Sequence, residues 1–348
     1  MASLKGKSVN SGGLYNYEGG SEYYMIMLRD VLGYKDLTKE EAISYIDKKL
    51  EEANNNINKV VKNYQGMIPS DQEIFYEAAV NGKPNFSNTD IYDLLDEFRY
   101  LAYDYVPKLN VMPNIEIKLV DKSLQDNFSP ACYFVSPLDV KNKESIYINP
   151  KYLNDYNYIF TTLAHEGYPG HLYQYSYAKE LDISNLRKVL RNSGYTEGWA
   201  TYVELTAYNF CLSYDSEPLQ TALDYCYYNQ IVNGLLTVRL DMGIHLEGWT
   251  MKDAASFMSN LLGYSYKEED IKDFYEQLVE VPTNSSEYFY AFCLIEDMKT
   301  KAMNELGLYF DIVEFNKTIL DCGALPLELI EKEVLEYIDE VKYIYNIK

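Results

Sequence analysis

The segment Phe160-Thr-Thr-Leu-Ala-His-Glu-Gly-Tyr-Pro-Gly-His-Leu-Tyr-Gln174 holds His165 and His171, two of the three histidines in this 348-residue chain. A regular helix turns about 100° per residue, so histidines six residues apart would point about 120° away from each other. Pro169 lacks an N–H, and its ring clashes with the carbonyl group of His165. Gly170 can adopt backbone angles that are closed to other residues. We therefore predict a break at Pro169–Gly170 that turns His171 back towards His165. The alternative is a helix that ends there and contains two unrelated histidines.

The pair His165-Glu166 predicts the chemistry of this segment. In many zinc peptidases a helical His-Glu pair begins the site: the histidine binds zinc, and the glutamate takes a proton from the zinc-bound water. The second histidine usually follows four residues after the first, but position 169 is Pro and the next histidine is His171. The spacing therefore departs from the standard motif. Despite the longer spacing, the segment predicts that His165 and His171 bind zinc and that Glu166 is the general base.

A third ligand is predicted in Tyr195-Thr-Glu-Gly-Trp-Ala-Thr-Tyr-Val-Glu204. Glu197 would complete a two-histidine, one-glutamate catalytic zinc site and leave one position for water. Gly198 would let another backbone approach closely. Glu204 lies two turns further along the same helix face, where it could hold a ligand histidine by a hydrogen bond. Taken alone, Glu197 could also be an acidic residue in the first turn of a helix, which the helix dipole favours.

The third histidine, His245, lies in Asp241-Met-Gly-Ile-His-Leu-Glu-Gly-Trp-Thr250, ahead of an amphipathic helix. A histidine that binds no metal could donate a hydrogen bond to the oxyanion of a tetrahedral intermediate. The alternative is a structural histidine that is hydrogen-bonded to a neighbouring group. The residues alone leave both possibilities open.

The rest of the chain predicts a mainly helical protein. Thr38-Lys-Glu-Glu41 is a capping box that opens a helix running to about Tyr64. Ser70-Asp-Gln-Glu73 and Ser87-Asn-Thr-Asp90 are expected to begin two more helices. Alternating apolar residues predict three strands, at 115–120, 131–135 and 145–148. We expect residues 1–20 to be loosely ordered and residues 21–348 to form one helical domain, with a small sheet around 115–150.

Composition limits the partners and the compartment. The chain has 53 acidic and 31 basic residues, a net charge of −22, which disfavours nucleic acid and anionic membranes as partners. The five cysteines are widely spaced and odd in number, as in free thiols of a reducing compartment. The N-terminus lacks the apolar core of a secretory signal, and no apolar run approaches the roughly 20 residues of a membrane helix. We expect a cytoplasmic protein, although a fragment of an exported protein would look the same.

Together, these segments resemble a bacterial family catalogued as domain of unknown function number 885. The resemblance runs from about Gly19 to the C-terminus. It rests on His165-Glu-Gly-Tyr-Pro-Gly-His171, Glu197-Gly-Trp-Ala200, Asp241-Met-Gly-Ile-His245, Gly248-Trp-Thr250 and Gly323-Ala-Leu-Pro-Leu327. It implies a zincin-like helical metallopeptidase domain with a small β-sheet, and zinc held by His165, His171 and Glu197. It also implies Glu166 as general base, and it suggests Tyr288 as an oxyanion partner beside His245.

The chain also departs from this family's pattern. Family members are usually longer, with a helical N-terminal portion that is absent here, so the chain would correspond to a C-terminal portion of the usual length. Leu172 stands where a second consecutive histidine is common, and Asn316 stands where a histidine is usual. Thr283-Asn-Ser-Ser replaces a Gly-Gln-Ala stretch after Pro282. The expected zinc ligands are unchanged by these departures. The departures instead affect residues that are expected to take part in substrate recognition.

The function expected from the sequence is a zinc-dependent hydrolase, a carboxypeptidase or oligopeptidase type of metallopeptidase. It would cleave a peptide or a small amide substrate. The alternative is a helical binding protein in which the metal site is structural or vestigial. An open coordination position in a cleft would favour the enzyme, and a closed site with four protein ligands would favour the structural role.

Overall fold

The computed structural model describes residues 12–80, 91–153, 156–210 and 216–347. Within these residues the protein is mainly helical, as predicted. The α-helices are α1 (Gly20–Leu32), α2 (Lys39–Gly66), α3 (Pro69–Ala79), α4 (Ile91–Ala102), α5 (Tyr156–Glu166), α6 (His171–Glu180), α7 (Asn185–Val189), α8 (Ser193–Thr206), α9 (Glu217–Leu246), α10 (Met251–Leu262), α11 (Glu268–Glu280), α12 (Ala291–Leu306), α13 (Ile312–Asp321) and α14 (Leu327–Tyr345). A π-helical segment, Ser286–Tyr290, leads directly into α12.

A small sheet lies between α4 and α5, where the sequence predicted it. Its strands are β1 (Asn114–Leu119), β2 (Ala131–Tyr133) and β3 (Lys143–Ile148), in the order β1-β3-β2. β3 runs parallel to β1 and antiparallel to β2, with Cys132 opposite Tyr147. The second predicted strand is shorter than expected, because β2 ends at Tyr133 and leaves Val135 exposed. β2 is therefore a short strand at one edge of the sheet.

Most buried apolar side chains form one continuous cluster that includes residues of both α1 and α14, whereas Phe75, Ala79 and Ala222 form a separate small cluster. Helix α9 lies at the centre of the large cluster, and its second half, from Ile231 to Leu246, is buried on nearly every side. A helix that is apolar around its circumference is stable only when other elements surround it. Helices α2 and α3 pack along it. The sheet contributes Ile146 and Ile148 to the same core.

The predicted helix starts differ in how well they agree with the structure. The capping box at the start of α2 is confirmed, because the Thr38 side chain accepts from Glu41 N–H and the Glu41 carboxylate accepts from Thr38 N–H. The helix predicted at Ser70-Asp-Gln-Glu73 is present, but Ser70 is not its cap. Helix α3 begins at Pro69, whose missing N–H is one that the first turn would leave unpaired anyway. The proposed start at 87–90 lies outside the described residues.

The N-terminal segment is more ordered than expected over the part that is described. Gly13 lies against Ile244, and Leu14 N–H donates a hydrogen bond of 2.9 Å to Nδ1 of His245. Residues 12–20 therefore pack on the C-terminal end of α9, while residues 1–11 lie outside the described part of the chain. Cys132, Cys226, Cys293 and Cys322 are free thiols. No helix within the described residues combines the length and apolarity needed to cross a bilayer.

Candidate metal centre

The break between α5 and α6 brings His165 and His171 together. Helix α5 ends at Glu166, the Tyr168–Pro169 peptide is cis, and α6 begins at His171. Gly170 N–H donates to the carbonyl of Ala164, and a Cβ atom on Gly170 would lie 1.7 Å from the carbonyl oxygen of His165. The two imidazole rings are perpendicular, with centroids 4.8 Å apart. The predicted break at Pro169–Gly170 is therefore confirmed.

Helix α8 is held against this break and presents Glu197 to it. Asn192 caps the helix by accepting from Tyr195 N–H. Trp199 is fully buried, and its indole N–H donates a 3.0 Å hydrogen bond to the carbonyl of Pro169. On the other side, a Cβ atom on Gly198 would meet Ala291 at 2.6 Å, so the close approach expected at Gly198 is confirmed. These contacts fix the position of Glu197 in the second turn of α8.

The ligand atoms of His165, His171 and Glu197 all lie within 4.8 Å of one another. Oε2 of Glu197 is 3.4 Å from Nε2 of His165 and 3.2 Å from Nε2 of His171. Two donors bound to one tetrahedral zinc at about 2.0–2.1 Å are about 3.3–3.4 Å apart. The spacing of the glutamate from each histidine therefore fits a shared divalent cation.

Glu204 occupies the other side of His165, where the sequence placed it. Its Oε2 is 2.9 Å from Nδ1 of His165, and its Oε1 accepts a hydrogen bond of 2.8 Å from Gln230. Because a carboxylate only accepts hydrogen bonds, Nδ1 of His165 carries a proton. In the neutral ring, Nε2 then presents a lone pair towards the carboxylate of Glu197. A proton or a metal cation between these two atoms relieves that repulsion.

The charges of the metal-free cluster follow from this arrangement. Burial lowers the pKa of His165, but hydrogen bonds to Glu197 and Glu204 outweigh it and raise the pKa to about 10. Burial raises the pKa of Glu197, but hydrogen bonds from His165 and His171 lower it to about 2. The centre therefore favours positive charge on the ring of His165. Nδ1 of His171 is buried and has no hydrogen-bond partner within the described residues.

Glu166, the last residue of α5, is oriented by the edge strand. Its Oε2 accepts a 2.7 Å hydrogen bond from the backbone N–H of Tyr133 in β2. The thiol of Cys132 lies close by: burial raises its pKa to about 11, and the charges of Glu166 and Glu197 act in the same direction. The sheet thus holds the predicted general base beside the candidate metal ligands.

Tyr288 also reaches the cluster, from the π-helical segment. Its ring stacks on that of His165 with centroids 6.0 Å apart and an interplanar angle of 22°. Burial raises the pKa of Tyr288, and the charge of Glu197 and a hydrogen bond to it raise it further. Single turns of π-helix are frequent at functional sites. The predicted position of Tyr288 at the site agrees with these contacts.

His245 is not part of this cluster, so the expectation that it donates to an oxyanion is corrected. It lies near the end of α9, ahead of α10 as predicted, and it is fully buried. Its Nδ1 accepts from Leu14 N–H, and its Nε2 is 3.0 Å from the carbonyl oxygen of Leu278. Both ring nitrogens are therefore used by the backbone. His245 is the structural histidine that the sequence left as its alternative.

Three neighbours of the site were not predicted from the sequence. The backbone N–H of Tyr133 binds Glu166, the amide of Gln230 binds Glu204, and Tyr175 lies on α6 one turn after His171. Burial raises the pKa of Tyr175, and its ring lies 5.9 Å from that of Tyr133, measured between centroids. Of these three, only Tyr175 had a sequence signal, because it lies four residues after His171 and so on the same helix face. The other two contacts depend on tertiary packing.

Replacing Glu204 with Gln is expected to weaken metal binding. The amide keeps the size of the side chain but loses the charge that orients the ring of His165, and loss of such a partner costs about 10–100-fold in metal affinity. Competition titration with a chromophoric chelator measures the change. Glu51→Gln, on the exposed face of α2, is the matched control. Equal affinity of the two variants would contradict the role given to Glu204.

The fold and the cluster define a class: a mainly helical protein with a candidate metal centre built from two histidines and a glutamate at a helix break. The model of the family described as "Bacterial protein of unknown function (DUF885)" matches residues 4–334. The chain therefore belongs to this family. The match covers most of the chain, so the expectation that the chain corresponds only to a C-terminal portion is not supported by it. No curated protein matches the chain.

Two solved structures are similar in fold. One is described as a "putative lipoprotein" from Colwellia psychrerythraea, with a TM-score of 0.74, 22% identity, and coverage of 97% of this chain and 59% of that one. The other is described as a "putative lipoprotein of unknown function" from Shewanella oneidensis, with a TM-score of 0.66, 17% identity, and coverage of 96% and 62%. This chain thus spans about three fifths of the length of either.

Proposed function

We propose that the protein is a zincin-like, zinc-dependent hydrolase that cleaves a peptide or a related amide bond. The observation that carries the proposal is the convergence of the His165, His171 and Glu197 ligand atoms within 4.8 Å, beside the carboxylate of Glu166. The donor set of two imidazoles and one carboxylate is that of catalytic zinc sites in several hydrolases. A cation bound there supplies Lewis-acid polarisation of a carbonyl oxygen and acidification of a water molecule.

Glu166 is the proposed general base. Its carboxylate takes a proton from the attacking water and passes it to the leaving amine. The hydrogen bond from Tyr133 N–H fixes the direction of that carboxylate before substrate binds. A proton acceptor that is already oriented costs no reorganisation during the reaction. The edge strand therefore contributes to catalysis through its backbone.

Tyr288 is the proposed donor to the oxyanion. Its hydroxyl faces Glu197, and burial with the nearby acidic charge keeps the hydroxyl protonated by raising its pKa. A protonated phenol beside the metal ligands can donate to negative charge that develops on the substrate carbonyl oxygen. With His245 bonded to the backbone elsewhere, Tyr288 carries this role alone.

The number of protein ligands at the cluster supports a catalytic metal site over a structural one. Structural zinc sites are closed by four protein ligands, whereas catalytic sites use three and keep one position open. In the described part of the chain, the cluster has three donors of the His, Cys, Asp or Glu type. The thiol of Cys132, although near Glu166 and Glu197, is not among them.

The test is a peptide-library digest with the purified full chain, in the zinc-loaded state and after chelation. Hydrolysis that disappears with the chelator and returns with added zinc would support the proposal. Cleavage that is insensitive to chelation, or zinc-loaded protein that cleaves no peptide or amide in the library, would contradict it. Digestion of non-peptide amides in the same assay separates the two substrate classes.

A further inference from the structure

A pocket lies next to the candidate metal centre and is lined mainly by apolar groups. It has a volume of about 150 Å³ and is bounded by the loop after β2, by α6 and by the connection between α7 and α8. Its lining includes Val135, Leu138, Tyr175, Val189, Leu190 and Arg191. Val135, Val189 and Leu190 are exposed at its rim. Exposed apolar side chains gathered at the mouth of one pocket are typical of a binding surface.

Tyr175 connects this pocket to the metal centre. It lies one helical turn after His171, so the two side chains share one face of α6. The ring of Tyr175 lies 5.9 Å from that of Tyr133, measured between centroids, and the backbone N–H of Tyr133 holds the carboxylate of Glu166. The pocket therefore adjoins the residues that surround the candidate metal centre.

Two lysines line the pocket, and the ammonium group of each is bonded to another group of the protein. Lys179 lines it, but its ammonium group pairs with the buried carboxylate of Glu144 and donates to the carbonyl of Val140. Lys188 also lines the pocket and is held by a hydrogen bond to the carbonyl of Lys179. Both cations are thus committed to partners in the protein.

Arg191 differs from these two lysines. It is exposed, and within the described residues it has no hydrogen bond or ion pair, in a chain whose net charge is −22. A guanidinium group presents paired N–H donors that match the two oxygens of a carboxylate. An unpaired arginine at the mouth of an apolar pocket is therefore suited to a ligand that carries both an apolar side chain and a carboxylate.

We propose that this pocket binds the C-terminal residue of a peptide substrate, with its apolar side chain in the pocket and its free carboxylate on Arg191. A cavity of about 150 Å³ is large enough to hold a benzene-sized group, so side chains of the size of Phe or Leu fit. This inference rests on the proposed function, because it assigns the substrate class of the same site. It makes the protein selective for peptides that end in a large apolar residue.

Binding is tested without turnover. N-acetyl-phenylalanine and its amide, N-acetyl-phenylalaninamide, are titrated by calorimetry into the full chain after chelation, so that no bound cation can capture the carboxylate. We expect the acid to bind about tenfold more tightly than the amide, because a charge-assisted hydrogen-bonded pair is lost with the amide. Arg191→Gln should remove that difference, and N-acetyl-glycine should bind more weakly than the phenylalanine ligand.

Two further variants separate the pocket from general effects on folding. Ala178→Phe places a ring in the pocket from α6 and should weaken both phenylalanine ligands about equally. Leu186→Ala, exposed on α7 and outside the pocket lining, should leave both affinities unchanged. Equal binding of acid and amide to the wild-type chain would overturn the proposal. So would a preference for the acid that survives in Arg191→Gln.

Hydrolysis distinguishes this inference from the proposed function. A zinc-loaded chain that cleaves peptides ending in Phe faster than their C-terminal amides supports both. Acid-selective binding with no hydrolysis of any peptide or amide supports the pocket and contradicts the proposed function. Hydrolysis that ignores both the terminal carboxylate and the size of the last side chain contradicts the pocket alone.

Discussion

Glu166→Gln is expected to lower kcat by about 10²–10⁴-fold, the usual contribution of a positioned general base. The glutamine side chain has nearly the same shape and can still accept the hydrogen bond from Tyr133 N–H through its carbonyl oxygen. It cannot take up the proton. Metal content should be unchanged, because the predicted ligands are His165, His171 and Glu197. Steady-state kinetics on a cleaved peptide, with metal analysis of the same sample, measures both quantities.

The control for this variant is Glu180→Gln, at the C-terminal end of α6. Glu180 accepts hydrogen bonds from the backbone N–H groups of Asn110 and Val111, so it has a structural role in the same part of the fold. It should lose little activity. If Glu166→Gln retained wild-type kcat, the assignment of the base would be wrong. If it lost its zinc together with its activity, Glu166 would be acting on the metal site instead.

Gly170→Ala is the second change with a large expected effect. The added methyl group would lie 1.7 Å from the carbonyl oxygen of His165 and 2.4 Å from that of Ala164. Both contacts are with backbone, so the break between α5 and α6 must open to admit it. Overpacking of this kind costs about 3 kcal/mol of folding free energy. Because the break sets the separation of His165 and His171, metal affinity should fall by at least about tenfold.

Chemical denaturation and a chelator competition titration measure the two effects of Gly170→Ala. Gly66→Ala is the matched control, since no atom lies within 4 Å of where its Cβ would be. In the control we expect wild-type metal affinity and no loss of stability. A Gly170→Ala protein with wild-type stability and metal affinity would mean that the tight junction is not what brings the two histidines together.

The helix break is the part of the site that local sequence determines. A proline and a glycine between His165 and His171 dictate that the helix cannot continue, because one lacks an N–H and the other tolerates close approach to backbone. The spacing of Glu197 and Glu204 on one helix likewise predicts that both face the same partner. Both carboxylates contact His165. These inferences need only helix geometry and chemistry.

Contacts between distant segments were beyond local sequence reasoning. His245 has the chemistry of an oxyanion donor, but its partners, Leu14 and Leu278, are 231 and 33 residues away and bind it through the backbone. The hydrogen bond from Tyr133 to Glu166 depends in the same way on where the sheet docks. A backbone N–H carries no sequence signal, because every residue except proline has one.

Two errors in the local structure have simple physical causes. Ser70 follows a proline that already fits the first helical position, so α3 begins before the expected cap. The apolar residues after Tyr133 resemble a continuing strand, but β2 ends there and Val135 lies at the mouth of the pocket. Val135 is therefore exposed beside the pocket and is not part of the core.

Metal analysis of the purified full chain tests the central claim most directly, with zinc loaded, excess removed by dialysis, and X-ray absorption recorded at the zinc edge. We expect one zinc per chain, a coordination shell with scattering from two imidazoles, and loss of the bound zinc in His171→Ala. A wild-type chain that retains no zinc would contradict the account. So would zinc that remains bound in His171→Ala with an unchanged spectrum.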